Sequence, residues 1–173
     1  MEDRRMLRGL LLHVLWRGRD RFWWRSRLWC VRVILEFREE QQLVRNFNRV
    51  NLLMAVLEKK AGVHLAASDA YVNIAGGMKM TEPAIDLGIC LAIISSAKEI
   101  VIPDSVMAFG EIGLSGEVRA VSMAGQRVQE AKKLGFETVI LPEVNRTATE
   151  SIKGIKLVYV AGIRDAISFI RGL

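Results

Sequence analysis

Apolar and polar positions alternate along this chain in patterns that change with distance from its start. From Asn48 the order is helical: Val50, Leu53, Met54 and Leu57 recur at three- and four-residue spacing, and Gly62 after Lys59-Lys60 marks a stop. A β-rich run, Tyr71 to Ala75, leads into the Gly76-Gly77 pair, and Glu82-Pro83 then opens a second helix reaching Lys98. Proline suits a first helical position, where an N–H has no partner and φ is already helical. From Ala84 to Ile94 that helix is apolar on nearly every face, with Asp86 its single charge, so it is expected to be buried all round. Met107–Ile112 and Glu117–Val121, joined around Ser115-Gly116, read as a hairpin. A helix follows over Gln126–Leu134, closed by Gly135, then strands at Thr138–Leu141 and Leu157–Val160 and a last helix over Ile163–Ile170. Alternating strands and helices predict an α/β layered domain.

The first quarter departs from this order. All four tryptophans lie there (Trp16, Trp23, Trp24, Trp29), and its eleven basic residues are all arginine. With six acids, residues 1–45 carry +5 of the chain's net +6, so the high pI says little about the remainder. The apolar run from Leu7 is short, has no small-residue cleavage site after it and meets dense charge from Arg17, which argues against a targeting sequence. An Arg/Trp membrane-binding amphipath is one reading. The preferred one is a shifted reading frame. Phe22-Trp-Trp-Arg25, read one base earlier, encodes Leu-Val and then Glu or Ala. Residues 1–46 are therefore expected to be a disordered or poorly structured appendage, with the domain at 47–173.

Several chemistries are excluded by residue type. No G-x-x-x-x-G-K-[ST] run occurs, so Gly76-Gly77-Met78-Lys79 is a turn and not a phosphate loop. Cys30 and Cys90 have no metal-ligand spacing, and neither a disulfide framework nor a zinc site is expected. Of the two histidines, His13 lies in the aberrant segment and His64 reads as a loop or strand residue. The longest uncharged run, Leu87–Ala97, is too short to span a bilayer. A reducing, cytoplasmic setting without membrane contact fits.

The strand, Gly-Gly, proline and apolar helix, followed by Phe109-Gly-Glu-Ile-Gly-Leu-Ser-Gly-Glu-Val-Arg119 and Lys132-Lys-Leu-Gly-Phe136, resemble the Lon-protease-like domain that closes bacterial DNA-repair proteins of the RadA (Sms) family. The resemblance runs from about Asn48 to Leu173. It implies a ribosomal-protein-S5-domain-2-like (Lon proteolytic domain-like) α/β fold, shared with magnesium-chelatase-like proteins and true Lon proteases. It also implies a hexameric, DNA-contacting assembly in which zinc and ATP belong to other modules, so no cofactor is expected in this chain.

Lon enzymes use a serine nucleophile and a lysine of depressed pKa. The serine position matches Ala84 and the lysine position, counted without gaps, Gly125. Arg127 nearby is no base, because it stays protonated. With both members absent, the expectation is a non-enzyme, an oligomerisation and DNA-contact scaffold; the alternative is a Lon-family serine peptidase with an unrecognised dyad, among Ser95, Ser96, Lys98, Ser115 and Ser122. Lys79, Arg119, Arg127, Lys132 and Lys133 are the candidate basic face for phosphate contact. No aromatic residues interleave with them, which speaks against single-strand stacking at that face.

Overall fold

In a computed structural model the described residues are 31–37, 48–65, 68–74 and 82–173. Seven of them fall in the first segment. Val31–Phe37 form strand β1, antiparallel to β2 (Ser68–Ile74), in a register running from Val31 opposite Ile74 to Phe37 opposite Ser68. The run VRVILEF holds three β-branched residues, Val31, Val33 and Ile34, which favour extended backbone. That local pattern is enough to take an edge beside β2, whatever the origin of the surrounding arginines. The Arg/Trp-rich residues 1–30 and the glycine pair lie outside the described residues.

Helix α1 (Asn48–Ala61) turns Val50, Leu53, Val56 and Leu57 inward, the amphipathic stripe its spacing predicts. Pro83 opens a short 3-10 turn (Pro83–Ile85) that continues as α2 (Asp86–Lys98). Every α2 residue from Asp86 to Ser95 is buried, because α1, the last helix and the strands surround it. Helix α3 (Ala124–Lys133) ends where Gly135 adopts φ +90° and donates its N–H to the Lys132 carbonyl, a left-handed stop that suits glycine. Helix α4 (Ile163–Arg171) is started by Asp165, whose carboxylate accepts the N–H groups of Ala161 and Gly162 at 3.1 and 2.9 Å.

The central sheet is parallel. β3 (Val106–Ala108) pairs with β6 (Thr138–Pro142), which pairs with β7 (Lys156–Val160), in the order β3-β6-β7. The expected hairpin is thereby shortened. Only β4 (Glu111–Ile112) and β5 (Val118–Arg119) form it, and the Met107 segment joins β6 instead. Val106, Met107 and Ala108 are all buried, which suits a strand inside a parallel sheet and not one face of a hairpin. Gly110 makes the break. Its N–H donates to the Ala84 carbonyl at 2.9 Å and its carbonyl accepts Leu87 N–H at 3.0 Å, so the chain leaves the sheet to stitch the start of α2. A Cβ there would stand 2.8 Å from Val118 Cγ1, so only glycine allows the approach.

Candidate functional site

The ground around the Lon-like dyad positions is closed. Ala84 is buried, and its carbonyl is taken by Gly110. At Gly125 a Cβ would sit 3.0 Å from the Ala148 carbonyl, a contact tighter than side chains ordinarily make. Between the two elements stands Arg127. Its guanidinium donates to Glu82 at 2.9 Å and to the Ser122 carbonyl at 3.1 Å, and its side chain is only 12% exposed. It therefore ties the start of α3 to the residue before Pro83.

The other serines are engaged locally. Ser95 is fully buried and donates to the Ile100 carbonyl, and Ser115 donates to Glu117 at 2.8 Å. Neither hydroxyl faces a lysine or histidine in these bonds. His64 is exposed in the loop after Gly62. Cys90 is a free, fully buried thiol, and burial pushes its pKa up, so it is an inert core residue.

Of the basic candidates, Lys79 lies outside the described residues. Arg119 projects from β5, bonded to Glu117 at 2.6 Å and to Glu111 at 3.4 Å. Lys132 donates to the Lys153 carbonyl at 2.6 Å, and the exposed Lys133 pairs with Glu130 at 3.5 Å. On α3 the three cations point apart: at 3.6 residues per turn, Lys132 and Lys133 lie about 140° and about 120° from Arg127 in opposite senses. The described candidates thus do not converge on one face, and each already has a partner.

Glu117 is held well below the usual carboxylate range, at about 2, by hydrogen bonds from its own backbone N–H, from Ser115 and from Arg119. A depressed carboxylate stabilises the fold above its unfolded pKa of about 4.3. That contribution is lost as pH falls through about 2. A side-chain carboxyl NMR titration should find the Glu117 midpoint near 2, and Arg119→Ala should move it upward. A midpoint unchanged by that substitution would mean that Arg119 does not hold the carboxylate. At neutral pH Glu117 is ionised and occupies Arg119.

Sequence reasoning passed over two features. The first is the partner of Asp86. Arg49 on α1 grips both oxygens of this 1%-exposed carboxylate, Nε to Oδ1 at 3.0 Å and the second nitrogen to Oδ2, while Ile112 N–H donates to Oδ2 at 3.1 Å. The Asp86 hydrogen bond is the first cause that raises the Arg49 pKa. A lone charge in an apolar helix signals such a partner, but not which residue provides it. The second is a groove beside β7, of about 350 Å³, where the Arg146 guanidinium lies 3.9 Å over the Tyr159 ring. Arg146 stands in a six-residue 3-10 segment (Glu143–Ala148) between the strands read at Thr138–Leu141 and Leu157–Val160.

Among the described residues no helix is long and apolar enough to cross a membrane. The family described as subunit ChlI of Mg-chelatase matches residues 41–145. The chain is also similar to DNA repair protein RadA of Halalkalibacterium halodurans, 48% identical over 125 residues, covering 72% of this chain and 27% of the relative. RadA of Bacillus subtilis is 48% identical over 120 residues (69% of this chain, 26% of the relative), and RadA of Aquifex aeolicus 42% over 120 (again 69% and 26%). The chain spans about a quarter of the length of these curated relatives. These findings overturn the expectation of a non-enzyme, because the matching family is named for an enzyme subunit. Loss of a Ser–Lys pair removes one peptidase chemistry and decides nothing about other activities. The peptidase alternative gains no support either, since no relative named above is a peptidase. The chain is similar to proteins named DNA repair protein RadA, and it belongs to the family described as subunit ChlI of Mg-chelatase.

Proposed function

We propose that residues 47–173 form the DNA-contact and assembly part of a RadA-like, ATP-dependent DNA-repair enzyme acting in recombination in the cytoplasm. The fold we assign is the ribosomal-protein-S5-domain-2-like one of Lon proteolytic domains, with Ala84 and Gly125 at the emptied dyad positions. The 48% identity to RadA over 125 residues carries this reading. The zinc and ATP that the resemblance implies are proposed to bind in parts of the relatives that this chain does not match. Neither group finds a fitting sequence motif or a fitting cluster among the described residues. No phosphate-loop sequence occurs, and the described residues bring no three His, Cys, Asp or Glu together. Residues 1–46 are read as an out-of-frame appendage, which the genomic sequence upstream of Met1 tests directly.

DNA contact by this part needs cations that can exchange an intrachain partner for phosphate, and Arg119, Lys132 and Lys133 are exposed enough to do so. Lys79 would add to them, and Arg127 contributes by fixing the start of α3. Light scattering after gel filtration, with and without duplex and single-stranded DNA, tests both halves of the proposal. A closed homo-oligomer, hexameric in the expected case, with salt-dependent DNA binding is the expected result. A monomer that ignores DNA at low salt would remove the reading.

A further inference from the structure

Beside the outer edge of β7, Arg146 is held as a flat plate. Glu143 accepts from two of its nitrogens at 2.7 and 2.8 Å and fixes the guanidinium plane. One face of that plane rests 3.9 Å above Tyr159. The tyrosine is itself anchored, its hydroxyl 3.0 Å from the buried Thr149 hydroxyl, which lies 3.0 Å from the Asn145 carbonyl. Ile152, Ile155 and Leu157 line the groove beside the plate, and Lys153 is exposed on it. The Lys132 ammonium is held at the Lys153 carbonyl, so a second cation stands at this rim. Glu150, also lining the groove, disfavours phosphate at its own wall.

A cationic plate backed by an aromatic ring, an apolar floor, a charged rim and about 350 Å³ of open space match one nucleotide whose base face is free. In a duplex the base faces are already stacked and have nothing to offer such a plate. A single strand presents them, and stacking accepts any base. Building on the DNA-contact reading above, we propose that this groove binds single-stranded DNA, with one base stacked on the outer face of Arg146, the sugar over Ile152 and Leu157, and phosphate at Lys153 and Lys132.

The test uses the full chain and a fluorescein-labelled oligothymidylate of about 16 nucleotides, followed by anisotropy across a salt series. Arg146→Lys keeps the charge and removes the plate, and binding should weaken about tenfold. Lys153→Ala, an exposed change, should lower the steepness of the salt dependence by about 0.7. Lys59→Ala, an exposed change on α1 outside the groove, should leave affinity within about twofold. An oligonucleotide carrying 2-aminopurine should lose fluorescence on binding to the unmutated chain and not to Arg146→Lys. Unchanged affinity in both groove variants, with the unmutated chain still binding, would overturn the groove and leave DNA contact standing. Tighter binding of a duplex of equal length would also overturn it. No binding by the unmutated chain would overturn both readings.

Discussion

Replacing Arg49 by alanine should destabilise the domain by about 3–5 kcal/mol, the loss expected when one partner of a buried ion pair is removed. The direction follows from what stays behind. Asp86 is 1% exposed, and without Arg49 its carboxylate keeps only the Ile112 N–H among the bonds described above. The reverse change is milder. Asp86→Ala leaves Arg49, 32% exposed and able to turn toward water, and an unpaired Ile112 N–H, so about 1–3 kcal/mol is expected. Removing the pair as a whole, Arg49→Met with Asp86→Leu, should recover much of the loss, since no buried charge is then orphaned. Urea unfolding followed by far-ultraviolet circular dichroism measures all three. Equal losses in the two single variants would show that burial does not set the asymmetry. The pair matters to the fold because it joins α1 to α2 and, through Ile112, to the β4–β5 hairpin.

Phe109→Ala should be the other large effect, again about 3–5 kcal/mol, through loss of a buried aromatic side chain and the cavity it leaves. Phe109 is fully buried at the end of β3, its N–H donating to Ile140 on β6 at 3.0 Å. The next residue, Gly110, holds Ala84 and Leu87. A void here loosens the sheet and the start of α2 together, so little local collapse can refill it. Against a typical total stability of about 5–15 kcal/mol, such a variant stands near the edge of folding. Leu114→Ala, at a 65%-exposed hairpin position, is the control and should stay within about 0.5 kcal/mol. A Phe109→Ala loss no larger than that of Leu114→Ala would mean that the junction can repack.

How much was legible depended on whether a signal was local. Pro83 at a helix start and Gly135 at a helix end act through their own φ, and both stand where expected. The apolar run after Ala84 had to be buried on all sides, because no face of it suits water, and α2 is.

Pairings between distant segments were decided only by the tertiary structure. Met107 reads equally well as a hairpin strand or a parallel one; its partner is Val139, and nothing in three apolar residues names that choice. Charge behaves likewise. Arg119, Arg127, Lys132 and Lys133 look like free cations in a sequence, yet Glu117, Glu82, the Lys153 carbonyl and Glu130 occupy them. A Coulomb partner is chosen by distance in space, which residue spacing does not encode outside a helix or strand. The Arg146–Tyr159 plate forms for the same reason, because the β6–β7 crossover folds a 3-10 segment back against β7. The sequence by itself determined the order of elements from α1 onward and the buried α2, both readable within one turn or strand. Strand partners, the Arg49–Asp86 pair and the groove beside β7 required the chain to close on itself, where packing and charge select among matches that the local pattern leaves equal.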